Sequence, residues 1–210
     1  MKFRLVLFSL ALLLTGCETV KLSALEQLGF EKRDILTSRI ENARDAQEDA
    51  KEQFESALQQ FQSVVSFDGG ELEDYYNRLN SEYEQSKSAA EKVTKRIDSV
   101  EFVAEELFEE WQVELNQYSN PELRRKSQAQ LYQTQKQYAS LIASMRKAER
   151  SIAPVLAVFN DQVLFLKHNL NARAISSLKD ELSSIESNVN NLIKEMNQSI
   201  KEANQFIATM

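Results

Sequence analysis

The sequence predicts an all-α protein, an elongated antiparallel four-helix bundle or coiled coil. Two observations support this fold class. First, residues that break regular structure are scarce: the 210 residues include only 4 glycines and 2 prolines, fewer than the turns of a sheet protein require. Second, apolar residues recur at seven-residue spacing through four long stretches, as in helices that bury one stripe against their neighbours.

The first predicted helix covers residues 23–67. Ser23-Ala24-Leu25-Glu26 has the capping-box pattern of a helix start, and Asp68-Gly69-Gly70 ends the helix. Gly29 is a candidate interruption close to the start. Small alanines alternate with large aromatic residues in the apolar stripe, which predicts closely approaching helices whose layers interlock. The stripe comprises Leu36, Ile40, Ala43, Gln47, Ala50, Phe54, Ala57, Phe61 and Val64.

The second predicted helix covers residues 71–118 and is separated from the third by Ser119-Asn120-Pro121. This break is also a start signal, because Asn120 can accept hydrogen bonds from the first turn of a helix and Pro121 suits its first position. The stripe of the second helix comprises Tyr76, Leu79, Tyr83, Ser86, Ala90, Val93, Ile97, Val100, Ala104, Leu107, Trp111 and Tyr118.

The third predicted helix covers residues 121–169. Pro154 lies inside it and removes one backbone hydrogen bond, but the apolar spacing continues past this residue, so we expect a kink rather than an end. The stripe comprises Leu131, Thr134, Tyr138, Leu141, Met145, Ala148, Ile152, Val155, Phe159 and Leu166.

The fourth predicted helix covers residues 172–208. Its stripe is out of phase with the third by two residues, and the jump falls across Lys167-His168-Asn169-Leu170-Asn171. We interpret this segment as a turn, since it gives four helices of matched length. The alternative is one unbroken helix with a stutter in its seam. The fourth stripe comprises Ile175, Leu178, Leu182, Ile185, Val189, Leu192, Met196, Ala203 and Phe206.

The amino terminus has the features of a lipoprotein signal peptide. Lys2 and Arg4 precede the apolar run Leu5–Leu14, which is too short to cross a bilayer, and Leu14-Thr15-Gly16-Cys17 resembles the bacterial lipobox. We therefore expect residues 1–16 to be removed and Cys17 to be lipidated. Residues 17–22 would form the anchor and a short linker, and residues 23–210 a single bundle. An ordinary secretory signal that contains a cysteine is the alternative.

Charge and cysteine content restrict the partners. The formal net charge of −7 argues against nucleic acid, whose phosphates require a basic surface. It also argues against a peripheral hold on anionic lipid, so we expect the link to membrane lipid to be covalent, through Cys17. Glu18 follows the anchor where an Asp favours inner-membrane retention in Gram-negative lipoproteins. That resemblance favours the periplasmic face of the outer membrane over the inner membrane.

Residues for catalysis are scarce. The chain has one histidine, His168, so no metal site built from several histidines can form. It has one cysteine, Cys17, so no Cys-His zinc cluster can form. It has no phosphate-binding loop of the G-x-x-x-x-G-K-[ST] type. We expect a turn position for His168, and we expect no enzymatic activity, cofactor, metal ion or small-molecule substrate.

Two surface features are candidates for interactions. Residues 152–170 are more apolar than the stripe requires, and the topology places them at the end of the bundle away from the amino terminus. The candidate partner patch comprises Tyr75, Tyr76, Leu156, Phe159, Leu164 and Phe165. A thicker core at this end is the alternative. The acidic segment Glu101–Glu110 runs beside Arg124-Arg125-Lys126, which offers either interhelical ion pairs or a solvated face.

The sequence resembles a family of uncharacterised Gram-negative bacterial lipoproteins of unknown function. The resemblance is carried by Gly29–Leu36, Arg39, Ala43–Gln47 and Phe54, and later by Gln162–Ala172. Some members carry a label suggesting a DNA-repair ATPase, which does not suit a chain with an export signal and no phosphate-binding loop. The resemblance implies a long helical protein and assigns no functional residues.

Two functions follow as hypotheses. The first is a non-enzymatic, lipid-anchored envelope protein that acts as a helical scaffold, spacer or partner-binding module, with a protein partner or self-association. The alternative is a periplasmic carrier or chaperone that shelters apolar cargo, such as a lipid or an unfolded outer-membrane protein. The apolar surplus in residues 152–170 motivates the alternative.

Overall fold

The computed structural model describes residues 22, 31–66, 72–169 and 172–210, and for residues 172–176 it describes the backbone but not the side chains. Four long helices account for nearly all of these residues: α1 (Lys32–Val65), α2 (Leu72–Glu114), α3 (Pro121–His168) and α4 (Ala172–Ile207). The described residues contain no strand. The predicted all-α fold is confirmed.

The four helices form an antiparallel bundle. Each helix packs against the next one in the chain, and α4 packs against α1. Residue numbers fall along one helix as they rise along its neighbour, so all four contacts are antiparallel. The contact of α1 with α4 shows this in the pairs Arg44–Asn204 and Gln62–Glu186, and that of α1 with α2 in Lys32–Glu110 and Asp49–Lys92. The contact of α2 with α3 shows it in Asp98–Arg146 and Trp111–Ser127, and that of α3 with α4 in Ser140–Glu202 and Lys147–Glu195. The antiparallel contact of α3 with α4 rules out one unbroken helix.

The start and end of α3 follow from its terminal residues. Oδ1 of Asn120 accepts hydrogen bonds from the backbone N–H groups of Glu122, at 2.8 Å, and Leu123, at 3.3 Å, and Pro121 occupies the first turn as predicted. At the other end, Nδ2 of Asn169 donates to the carbonyl of Phe165 at 2.9 Å. The helix continues through Pro154, also as predicted.

Two predicted helix bounds differ from the structure by four residues or more, and the others agree within two residues. The second helix ends at Glu114 instead of residue 118, because the N–H groups of Asn116 and Gln117 bond to carbonyls only three residues back and so tighten the chain into a turn. Tyr118 consequently leaves the stripe and is 42% exposed. The first helix is not continuous from residue 23, since Glu31 is extended (φ −72°, ψ 143°) and caps a helix that begins at Lys32.

Some sequence predictions lie outside the described residues. They are the signal peptide, the capping box Ser23–Glu26, the interruption at Gly29 and the break at Asp68–Gly70. Leu22, which is described, is helical and buried in the core.

The predicted stripes form one core that runs the length of the bundle. Every stripe residue of α1 is buried, and so are most stripe residues of the other helices. The exceptions lie half-buried at the margin of the core, and they are Tyr76, Tyr83, Leu107, Trp111, Thr134, Tyr138 and Leu182. The side chain of Ile175 is among those not described.

Aromatic pairs connect helices across the core. Phe54 of α1 stacks on Phe159 of α3, with ring centroids 6.3 Å apart, and so joins two helices that lie diagonally opposite. Nearer the other end, Tyr138 of α3 contacts Phe108 of α2 at 5.4 Å and Phe206 of α4 at 6.4 Å, both edge to face. Edge-to-face and offset stacked rings stabilise a core beyond the area they bury.

Three polar side chains interrupt this core. Gln47 in α1, Ser86 in α2 and Ser199 in α4 are fully buried, and their side-chain atoms have no hydrogen-bond partner among the described residues. An unpaired buried amide destabilises a fold by about 1–3 kcal/mol. Gln47 therefore opposes the stability that the stripe of α1 supplies.

We predict that Gln47→Met raises the free energy of unfolding by about 1–3 kcal/mol, because methionine fills a similar unbranched volume and leaves no amide unpaired. Urea denaturation followed by circular dichroism measures the change. Gln59→Met, at an exposed position of the same helix, is the matched control and should change stability by less than about 0.5 kcal/mol. A loss of stability in Gln47→Met would show that the amide is satisfied in solution.

Candidate partner surface

The predicted partner patch divides between core and surface. Phe159 is 2% exposed and belongs to the core through its stack on Phe54. Tyr75, Tyr76 and Leu156 are half-buried and pack against the same core. These four residues fit the alternative of a thicker core at this end.

The surface part of the patch is carried by two residues of α3. Leu164 is 48% exposed and Phe165 is 38% exposed, on the last turns of the helix before it ends at His168. Removing an apolar side chain from water is stabilising, and a large apolar side chain at the surface gains this only when a partner covers it. Both residues lie outside the seven-residue spacing of the α3 stripe, to which Phe159 belongs, and their exposure agrees with that spacing.

Phe165 borders a groove of about 440 Å³ between α3 and α4. Among the side chains that the structure describes, its lining combines apolar residues with two carboxylates and includes no basic one. Its lining residues are Val158, Asp161, Gln162, Phe165, Ser177 and Glu181. An apolar floor with acidic residues at its edge favours a partner helix or loop that presents an apolar side chain next to a basic one.

The patch and the amino terminus of α1 lie at opposite ends of the bundle. Lys32, the first residue of α1, lies beside Glu110 near the end of α2, with 3.3 Å between Nζ and Oε2. The 34 residues of α1 span about 50 Å at 1.5 Å per residue. Within the described segments, no helix is long and apolar enough to cross a membrane.

An ionic cluster joins α2 to α3 near the middle of the bundle. The guanidinium of Arg146 donates to Asp98 at 2.6 Å, to Glu149 at 2.8 Å, and to Glu101. The hydrogen bond to Glu101, more than those to the other two acids, raises the pKa of Arg146 above its ordinary value although burial lowers it. Burial and the nearby Glu101 raise the pKa of Tyr138. Arg146 thus stays charged and is the common hydrogen-bond partner of three carboxylates, whose mutual repulsion it reduces.

Of the two alternatives for Glu101–Glu110 and Arg124–Lys126, the interhelical ion pairs do not form, and Arg124, Arg125 and Lys126 are exposed. Lys126 pairs with Glu122 in its own helix, at 3.4 Å, and Arg124 donates to Asn116 at 3.2 Å. The reason is the register of the two helices, which sets Glu101 opposite Arg146. Arg124-Arg125-Lys126 therefore lies beyond the acidic segment, next to the turn.

The remaining candidate residues are His168 and those of the predicted processing site. His168 is the last residue of α3 and is exposed, instead of lying in a turn. Among the residues that the structure describes, no group of three or more histidine, cysteine, aspartate or glutamate side chains is arranged to hold a metal ion. Leu14, Thr15, Gly16 and Cys17 lie outside the described residues, so lipidation and processing remain predictions.

Comparison with known proteins gives a family. Residues 22–210 match the family model described as Protein of unknown function (DUF2959). No curated protein and no solved structure matches the chain. The matched residues begin at Leu22 and include all four helices.

We predict that Arg146→Met lowers the free energy of unfolding by about 1–3 kcal/mol, because it leaves three neighbouring carboxylates without their common partner. Urea denaturation at low and at high salt measures the effect, which should shrink in salt as repulsion is screened. Lys126→Met is the control. It removes one exposed pair and should cost less than about 1 kcal/mol. Equal losses in the two variants would contradict a stabilising role for the cluster.

Proposed function

The chain belongs to the DUF2959 family, a family of unknown function, and from this premise we propose that it is a lipid-anchored protein of the bacterial envelope. In this proposal it acts without catalysis, as a helical scaffold, spacer or partner-binding module. The observation that carries the proposal is the shape of the bundle. Its amino terminus lies at one end and two exposed apolar residues, Leu164 and Phe165, lie at the other.

The anchor is supported by Leu14-Thr15-Gly16-Cys17 after a short apolar run. A diacylglyceryl group on the Cys17 thiol, with a further acyl chain on the new amino terminus, would hold the protein stably, since two chains suffice for permanent membrane attachment. Only 14 residues separate Cys17 from the start of α1 at Lys32, so the bundle would stand close to the membrane.

The location is proposed from Glu18 and from the resemblance to Gram-negative lipoproteins. Position 18 is a glutamate and not the aspartate that favours retention in the inner membrane. We therefore propose that the protein lies on the periplasmic face of the outer membrane. The acidic net charge of −7 is consistent with a covalent rather than a peripheral membrane link.

The partner is proposed to bind at the end away from the anchor. There, Leu164 and Phe165 are exposed, and Asp161 and Glu181 supply negative charge in the groove beside them. A protein partner or a second copy that presents an apolar and a basic side chain would fit this surface. A bundle of about 50 Å would hold that partner at a fixed distance from the membrane.

The carrier function receives less support. It was motivated by the apolar surplus of residues 152–170, and three of the five residues beyond the stripe belong to the core or its margin: Val163 is buried, and Leu156 and Val158 are half-buried against the core, while Leu164 and Phe165 are exposed. Sheltering cargo would require the helices to separate and give up these contacts. We therefore favour the scaffold.

We predict that Cys17→Ser abolishes lipidation, because the serine hydroxyl does not replace the thiol as the group that accepts the lipid. Incorporation of radiolabelled palmitate and the mass of the product measure this, and the variant should remain an unprocessed precursor. Thr15→Ala keeps a small residue in the processing site and should be labelled like the wild type. Labelling of Cys17→Ser would remove the anchor from the proposal.

We predict that a photo-crosslinking amino acid at position 165 captures a discrete partner in intact cells. The matched control is position 132 at the other end of the bundle, where Tyr132 is 70% exposed. Leu164→Asp should reduce the crosslink at position 165 several-fold while circular dichroism stays unchanged, because Leu164 is a surface residue. The same products from both positions would contradict a partner surface at this end.

A further inference from the structure

Basic side chains collect in one groove of this acidic protein. The groove lies between α1 and α2 and has a volume of about 400 Å³, within the usual range of roughly 300–1,000 Å³ for small-ligand sites. Four of its lining residues are basic and one is acidic. The lining comprises Arg39, Ser88, Glu91, Lys92, Lys95, Arg96 and Ser99.

The spacing of these residues on α2 explains the groove. Ser88, Lys92 and Arg96 follow each other at intervals of four, and Lys95 and Ser99 continue the same face. Arg39 of α1 completes the lining from the neighbouring helix. Two positive charges four residues apart, as in Lys92 and Arg96, repel each other and destabilise a helix.

The positive charge of the groove is only partly neutralised. Lys92 forms an ion pair with Asp49, at 2.6 Å between Nζ and Oδ2. Within the described part of the chain, Lys95 and Arg96 form no ion pair, and Nε of Arg39 is buried without a hydrogen-bond partner. Glu91 is the one carboxylate in the lining. Lys95 and Arg96, which lack a carboxylate partner among the described side chains, are available to donate charge-assisted hydrogen bonds to an anion in the groove.

We propose that this groove binds a phosphate group. Guanidinium groups donate paired hydrogen bonds to phosphate oxygens, ammonium groups add point charges, and the hydroxyls of Ser88 and Ser99 are further donors. The phosphate could belong to a free phosphorylated compound or to a lipid headgroup. The site does not depend on the lipid anchor, because all of its residues belong to the helical bundle.

The test is isothermal titration calorimetry of the full chain in a non-ionic detergent at low salt. Inorganic pyrophosphate is the probe for a free phosphate, and dihexanoyl phosphatidylglycerol below its micelle concentration is the probe for a lipid headgroup. Dihexanoyl phosphatidylcholine, which has no net charge, is the control ligand. We expect at least one of the two anionic probes to bind and the control ligand not to bind. The one that binds identifies the source of the phosphate.

Substitutions place the binding in the groove. The double variant Lys95→Gln, Arg96→Gln should weaken binding by about tenfold or more, since it removes two charge-assisted contacts. The matched control, Arg124→Gln with Arg125→Gln, removes the same charge from an exposed segment outside the groove and should leave binding unchanged. Thermal unfolding followed by circular dichroism checks that both variants are folded.

Two outcomes would overturn the proposal. One is the absence of binding by both anionic probes. The other is equal weakening in the two double variants, which would mean that the anion responds to overall charge and not to this groove. Neither outcome bears on the lipid anchor, which is tested separately by Cys17→Ser.

Discussion

The structure depends on one constraint, that each of four long helices must bury a continuous apolar stripe and only the other three are available to cover it. The stack of Phe54 on Phe159 shows how the constraint is met, because it joins helices that lie diagonally opposite. Alanines elsewhere in the stripe of α1 allow the neighbouring helices to approach. Antiparallel packing of adjacent helices and short connections follow from the need to bring all four stripes to one axis.

A core filled in this way leaves function to the surface of the bundle. The apolar side chains that could have formed an internal site, such as Phe159 and Val163, are used in packing. Exposed large apolar side chains occur near both ends of the bundle, at Leu164 and Phe165 and, beside the turn from α2 to α3, at Val113, Tyr118, Leu123 and Tyr132. We propose two binding surfaces, the groove beside Phe165 at one end and the basic groove between α1 and α2 along one side. These two surfaces differ in chemistry. The groove beside Phe165 would suit a partner that presents apolar and basic side chains, and the basic groove would suit an anion.

The buried polar residues show where the stripe departs from an ideal core. Gln47, Ser86 and Ser199 occupy inward positions and find no partner among the described side chains. Stability would favour apolar residues at all three. Polar residues at such positions in other helical bundles are used to fix the register of helices.

The sequence by itself determined the fold class, the stripe of each helix and the start of α3 at Asn120 and Pro121, because helical spacing and capping are local properties of the chain. The tertiary structure alone decided the register between helices. It set Glu101 opposite Arg146 instead of Arg124–Lys126, and it placed Arg39 and Arg96 in one groove. The physical reason is that register depends on side chains from different helices packing together, and spacing within one helix does not specify it.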